Sequence, residues 1–209
     1  MIVGHMFRGG AEDAEALLDP FNAIESMYEE SDEIPYPQVA VVQLSGEESA
    51  SCQNGHVQIS STTNLQVYNV TAERQIYEGF LYRIKSNPAL ARSGVIIHEG
   101  YSDDAVRAAR SADTAYPFRS DHHLNLFNAI LPPDSGLEDA AWEWAREVSD
   151  QWNAGQPDRL PTAYVNYANG FETVAERYGH EEWRLEKLRA LKAVYDPGNR
   201  FRFYNPIVV

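Results

Sequence analysis

Tyr164, Asn166 and Tyr167 offer two phenols and a carboxamide within the short run Pro161-Thr162-Ala163-Tyr164-Val165-Asn166-Tyr167-Ala168-Asn169-Gly170. Such groups can orient a ligand and polarise it through hydrogen bonds. To accept a proton, a phenol whose ordinary pKa is about 10 needs a nearby cation or donors that stabilise phenolate. The same residues also suit a structural use, with the rings in a core and the hydroxyls on surface partners. Other candidate constellations are weaker. Asp121-His122-His123 invites a metal reading. Consecutive residues on a strand point alternately, however, and no third ligand is evident, so no metal site is expected. His98-Glu99 and His180-Glu181 lack the His-Glu-x-x-His spacing, and the serines lack a nucleophile-elbow context.

The elements that must position these residues follow from periodicity. An extended chain at 164–167 would send Tyr164 and Asn166 to one face and Val165 and Tyr167 to the other. From Glu181 to Tyr195 the apolar positions Trp183, Leu188, Leu191, Val194 and Tyr195 fit an amphipathic helix, which Pro197 cannot continue. Upstream, Ile2 to Phe7 reads as a strand. A helix from about Ala11 buries Ala14, Leu17, Leu18, Phe21, Ile24 and Met27, and Gln38 to Leu44 reads as a β-branched strand. A strand near Val57-Ile59 breaks in Ser60-Ser61-Thr62-Thr63-Asn64, and extended chain follows near Leu65-Val70. Thr71 caps a helix with Ile76, Phe80, Leu81 and Ile84 on one face, and Asn87-Pro88 ends it. Strands are expected at Gly94 to Tyr101 and Leu124 to Ile130, with a short helix from Ser102 to about Arg110 between them. A helix bearing Leu137, Ala141, Trp144, Ala145, Val148 and Trp152 is closed by Gly155. All four tryptophans, Trp142 and Trp183 included, are expected in a core. Strands separated by turns and helices without a regular βαβ repeat predict an α+β fold, an antiparallel sheet layered by helices.

The order Tyr-x-Asn-Tyr (Tyr164 to Tyr167), Tyr178-Gly179, Arg184-Leu185 with Leu188, Leu191-Lys192, and Tyr195-Asp196-Pro197-Gly198-Asn199-Arg200-Phe201 resembles the C-terminal end of FAD-linked oxidases of the berberine-bridge-enzyme type, in the vanillyl-alcohol-oxidase superfamily. Asp113-Thr114-Ala115-Tyr116-Pro117-Phe118-Arg119 is similar to the family's Thr-Ala-Phe-Pro-His-Arg segment. Together these cover about half the chain. The resemblance implies a partial substrate-binding domain over 1–170 and a C-terminal segment over 171–209 that packs on the flavin domain. It gives Tyr167, with Tyr164 as second choice, the role of taking a proton as a hydride leaves for the flavin. Asn166 and Tyr167 would face the cofactor, and Asn166, Thr114, Tyr116 and Arg119 the substrate. Phe118 and Asn169 stand where members commonly carry a His and an acid, and either difference removes a titratable group.

Nothing in the sequence corresponds to the family's flavin-binding domain, with its Gly-rich loop and covalent His. Gly9-Gly10 is followed by Ala11-Glu12-Asp13, whose acids would repel a diphosphate. FAD is therefore implied by resemblance only and is not expected to be held by this chain alone. The expected partners are a small-molecule substrate and either a flavin domain in trans or a second copy.

With 31 Asp and Glu against 17 Lys and Arg, the net charge of −14 disfavours nucleic acid and anionic membrane. No apolar run reaches the roughly 20 residues of a membrane span, and Met1-Ile2-Val3-Gly4-His5 is no signal peptide, so the expectation defaults to cytoplasm. Cys52 alone forms no internal disulfide, and Asn69-Val70-Thr71 is a glycosylation sequon that matters only in a secreted chain. Three readings remain open: the substrate-side portion of an FAD-linked oxidoreductase acting on an alcohol, carbohydrate or secondary metabolite; a flavin-independent cyclase or isomerase built on the same pocket; and a non-catalytic binding module.

Overall fold

The computed structural model describes residues 2–43, 45–49 and 52–207. Leu44, at the end of an expected strand, and Val208, in the tail, lie outside the described residues. The chain forms two compact units, Met1–Asn54 and Gly55–Val209.

The first unit holds helix α1 (Ala11–Asn22), a 3-10 turn (Tyr36–Gln38) and the short helix α2 (Val39–Val42). Two expectations fail here. Residues 2–7 form no strand, and the run after Gln38 is helical, with Gln43 N–H donating to the Val39 carbonyl at 3.0 Å. A β-branched run needs a neighbouring strand to satisfy its backbone, and the only sheet among the described residues lies in the other unit. The expected stripe of α1 is also not buried: Leu17, Phe21, Ile24 and Met27 are exposed, in a unit too small to build a core.

The second unit is built on a three-stranded antiparallel sheet in the order β1-β3-β2, with β1 Val57–Leu65, β2 Gly94–Gly100 and β3 His123–Leu131. Val57 pairs with Leu131 and Leu65 with His123 on one side of β3. On the other, Gly94 pairs with Ala129 and Gly100 with His123. Helices α3 (Val70–Ser86), α4 (Pro88–Ser93) and α6 (Glu138–Ala154) cover one face, with α6 across β1 and β3. The expected short helix α5 (Asp104–Ala108) lies in the connection between β2 and β3. Alternation in β3 sends Phe127, Ala129 and Leu131 to the covered face, where they meet the expected stripe of α6, Trp144, Ala145, Val148 and Trp152.

The polar run Ser60–Asn64 does not break β1. Ser61 Oγ donates to the Ala145 carbonyl at 2.6 Å, and Thr63 Oγ1 lies 3.2 Å from Ser149 Oγ. Helix α6 thus satisfies these two buried hydroxyls, while Thr62 Oγ1 donates to the Asn125 carbonyl of β3 at 2.8 Å. Asn69, rather than Thr71, caps α3. Its carbonyl oxygen accepts from the Thr71 and Ala72 amides, and its Nδ2 donates to the Gly155 carbonyl at 3.0 Å. The sequon nitrogen is thus committed inside the fold, and Val67 to Asn69 form a bent loop rather than an extended strand.

The close fit of α6 on the sheet has a measurable consequence at Gly94. A Cβ built there would lie 2.5 and 2.8 Å from Trp144 ring carbons, and that ring is held by Phe80, Phe127 and the Arg83 guanidinium. Gly94→Ala is expected to cost about 1–3 kcal/mol through overpacking. A urea midpoint equal to that of the parent would show that the ring moves aside freely.

Candidate functional site

The sheet face opposite the helices carries Val95, Ile97 and Glu99 of β2, Leu124 to Ile130 at alternate positions of β3, and Ser60 and Thr62 of β1. Against it sits the segment from Tyr164 to Ala168, anchored where Ser60 Oγ donates to the Tyr167 carbonyl at 3.0 Å. This segment is a turn, not the expected strand. The Tyr167 and Ala168 amides both return to the Tyr164 carbonyl at 2.9 Å. Such a turn brings residues three apart to the same side. Tyr164 and Tyr167, expected on opposite faces, therefore meet edge to face with ring centroids 5.1 Å apart.

The aromatic row continues away from the turn. Tyr164 packs edge-on against Tyr116 at 6.1 Å, and Tyr116 packs against Phe118 at 6.0 Å. The Arg119 guanidinium lies 5.3 Å over the Tyr116 ring and also donates to Thr114 Oγ1. The first contact sets a cation against the ring's negative face. Asn166 is exposed and donates through Nδ2 to the Tyr164 hydroxyl at 2.9 Å. The structure thus places Thr114, Tyr116, Arg119, Tyr164, Asn166 and Tyr167 in one continuous group.

Sequence reasoning missed Glu99 at the other end of this row. The Tyr167 hydroxyl donates to its carboxylate, 2.9 Å from Oε2 and 3.2 Å from Oε1. The available signal was parity: Glu99 follows Val95 and Ile97 on one face of a strand, a charge closing an apolar stripe. Burial, the hydrogen bond to Glu99 and the charge of Glu99 push the Tyr167 phenol well above its ordinary pKa. Burial and Glu99 also raise Tyr101. Tyr116 is pushed up to about 12, first by burial and then by the Asp121 carboxylate. Among the described residues no cation acts on Tyr167 as a phenolate there would need; its charged neighbour is an anion, Glu99.

These shifts fix the alkaline behaviour. A phenol whose folded pKa is raised contributes stability that is complete below the unfolded value near about 10 and is lost as pH rises toward the folded value. Stability is therefore expected to hold to about pH 9 and to fall through about pH 10–12. Tyr167→Phe should make that fall shallower. Urea midpoints across this range, alongside phenolate absorbance, check it, and an equally steep loss in the variant would refute the assignment.

The remaining candidates disperse. Asp121 is buried and paired with Arg159, His122 Nδ1 lies 2.7 Å from Asp103, and His123 lies edge-on to Tyr68. Among the described residues no group of three His, Cys, Asp or Glu could hold a metal. After the site turn comes the short helix α7 (Val174–Tyr178), which Thr173 and Glu176 close as a capping box. On helix α8 (Glu182–Tyr195) the apolar stripe is largely open to solvent; Trp183, expected in a core, is 45% exposed, and the buried residue is Arg184. Arg184 Nη1 donates to the Ser111 and Thr114 carbonyls at 2.9 and 3.3 Å, so α8 braces the loop that carries Thr114.

No helix among the described residues is long and apolar enough to cross a membrane. Residues 163–208 match the family model described as berberine and berberine like. The FAD-linked oxidoreductase iacH of Pestalotiopsis fici is 45% identical over 207 residues, which are 98% of this chain and 39% of the relative. The FAD-linked oxidoreductase anuG of Penicillium roqueforti is 46% identical over 202 residues, 97% of this chain and 40% of the relative. The solved berberine bridge enzyme of Eschscholzia californica superposes with a TM-score of 0.68 at 15% identity over 95% of this chain and 44% of that one, a likeness of fold. Over nearly its whole length the chain is similar to berberine-bridge-enzyme-type FAD-linked oxidoreductases, and it spans about two fifths of the length of the curated relatives it matches.

Proposed function

We propose that this chain carries the substrate-side proton chemistry of an FAD-linked oxidation of a hydroxyl-bearing small molecule, an alcohol, a carbohydrate or a secondary metabolite. The observation that supports the reading most is the Glu99 carboxylate held 2.9 Å from the Tyr167 hydroxyl on the helix-free face of the sheet. A flavin, when bound, accepts the hydride. The substrate hydroxyl must lose its proton as the hydride departs, and Glu99 is the base within this cluster. Tyr167 remains a neutral phenol and orients the carboxylate by donating to it. Tyr164, Tyr116 and Thr114 wall the substrate, with Arg119 and Asn166 supplying donors at the rim.

This donor set fits a hydroxyl and the uncharged ring of a flavin, toward which Asn166 and Tyr167 are assigned. The flanking guanidinium groups are already engaged, Arg119 with Thr114 and Tyr116 and Arg159 with Asp121, so we assign the cofactor's diphosphate to other protein. On this reading residues 1–170 belong to the substrate side and 171–209 form the surface that meets the flavin-binding part. Support comes from the apolar side chains left in solvent there, Val194 at 70%, Tyr195 at 79%, Phe201 at 80% and Phe203 at 84% exposure. Side chains of that kind in one segment mark a surface awaiting cover.

The test combines the purified chain with the remaining part of the iacH relative, loaded with FAD. A stable complex whose flavin is bleached on adding an alcohol panel supports the reading. A complex that forms and whose flavin every alcohol leaves oxidised overturns it. Light scattering of the chain alone separates the partner choices: a dimer points to a second copy covering the apolar surface, a monomer to the flavin-binding part.

A further inference from the structure

Asn205 lies 40 residues beyond Val165. It sits in a stretch with no regular secondary structure, yet it is buried and holds a left-handed backbone conformation, φ 41°. Its carboxamide nitrogen spends both hydrogens on the site turn, donating to the Val165 carbonyl at 2.8 Å and the Ala168 carbonyl at 2.9 Å. These two carbonyls bracket Asn166 and Tyr167. The buried Arg177 donates through Nη1 to the carboxamide oxygen of Asn205 at 2.7 Å. A flip would set amide hydrogens against the guanidinium, so the orientation is fixed. Tyr178 donates to the Asn205 backbone carbonyl at 3.0 Å. The preceding residue repeats the pattern, since the Tyr204 hydroxyl contacts the Asn166 carbonyl at 2.8 Å and the Ala168 carbonyl at 3.0 Å. The carbonyls of Val165, Asn166 and Ala168 are therefore held from one side by two adjacent tail residues. That of Tyr167 is held from the other side by Ser60.

We propose that Asn205, backed by Arg177 and assisted by Tyr204, is a positioning residue that sets the aim of Tyr167 toward Glu99. Tyr167 reaches Glu99 only if the turn is rotated correctly about its own axis. The two bonds that close the turn do not set that rotation; Ser60 holds one carbonyl of the turn, and the tail fixes the rotation by holding three more. A residue with two donors and one acceptor on a single planar group is required, because it must satisfy two carbonyls and one guanidinium at once. Aspartate would keep the Arg177 contact and turn lone pairs toward both carbonyls. The left-handed backbone is tolerated by Asn and strained for Ala.

The inference concerns the geometry of the pair to which the proposed oxidation assigns proton transfer. Its test is independent of that activity. The intact chain, labelled with 13C-tyrosine, is titrated by NMR, with the Tyr167 signal assigned by its loss in Tyr167→Phe. In Asn205→Asp and in Tyr204→Phe the apparent pKa of Tyr167 is expected to fall by about one pH unit, as the phenol–carboxylate contact loosens. Tyr116, in another part of the row, should titrate unchanged. Asn205→Asp keeps the left-handed tolerance, and Tyr204→Phe removes one hydroxyl at the rim, so the second variant decides the matter if the first does not fold. Folded variants that melt lower but titrate at Tyr167 as the parent does would make Asn205 a structural residue only and overturn the proposal. Absence of any oxidation, with the shift present, would overturn the functional reading and leave this one standing.

Discussion

Glu99→Gln is expected to lower alcohol-dependent flavin reduction by about 10²- to 10⁴-fold in the assembled oxidase, the range over which a positioned general base contributes. The substitution is nearly isosteric, and the amide oxygen can still accept the Tyr167 hydroxyl. What it removes is the proton acceptor and the negative charge. Because the interaction exists only as the proton transfers, the loss should fall on kcat rather than on KM. A second signature travels with it. The Glu99 charge is one of the causes that raise Tyr167 and Tyr101, so both phenols should ionise at lower pH in the variant. By contrast Tyr167→Phe, which removes an orienting donor and leaves the base, should cost less in rate. A Glu99→Gln enzyme within a few-fold of the parent, or one outperforming Tyr167→Phe, would return the proton-accepting role to the tyrosine.

Arg159→Met is expected to cost about 3–5 kcal/mol of stability, the penalty for stranding a buried charge. The Asp121 side chain is fully buried, and its Oδ2 has no hydrogen-bond partner among the described residues, so Arg159 and the Gln66 carboxamide at 3.2 Å carry its solvation through Oδ1. Arg159 also donates to the Asn64 carbonyl at 2.9 Å, near the end of β1. The double variant Asp121→Asn, Arg159→Met should recover much of the loss, because a neutral amide is far cheaper to bury than an unpaired carboxylate. Urea denaturation of both variants measures the difference. Equal losses in the single and double variants would mean that packing of the arginine stem, not the charge, is what matters.

How much of this is legible in the chain varies by element for physical reasons. The stripe of α6 repeats often enough to fix its period and face, and the strand at β3 is found as predicted, but its apolar residues on both faces do not tell which one the helices cover: Phe127, Ala129 and Leu131 are buried while Leu124, Leu126 and Ile130 are only partly so. The family motifs identify the site segment, and Thr114, Tyr116, Arg119, Tyr164, Asn166 and Tyr167 do gather. Its local shape is not legible, because Asn166 is the one turn former in Tyr164-Val165-Asn166-Tyr167, flanked by strand-favouring Tyr and Val, and the turn is held by Ser60, Tyr204 and Asn205, all remote in sequence. Val39–Val42 reads as a strand and forms a helix, because β-branched residues mark a strand only where a neighbouring strand exists. The polar run in β1 misleads for the opposite reason: its hydroxyls find partners remote in sequence, Ser61 and Thr63 on α6, Thr62 on β3 and Ser60 on the site turn, with Ala145 lying 84 residues beyond Ser61. Glu99 is hidden in the dipeptide His98-Glu99, which as a motif ignores the parity that separates the two side chains.

The position of β3 at the centre of the sheet also constrains how the molecule is made. β1 and β2 each pair with β3 and not with one another, and β3 is the last of the three to be synthesised. Neither earlier strand can form its ladder until His123–Leu131 is available, so each must wait as an open edge while α3 and α4, whose contacts are local, form first. The mutually dependent pairings then close together, followed by α6, which needs both β1 and β3 to bury its tryptophans. Nascent chains that end before Leu131 are therefore expected to be helical, protease-sensitive and prone to edge-to-edge association, with protection of all three strands appearing in a single late step during translation.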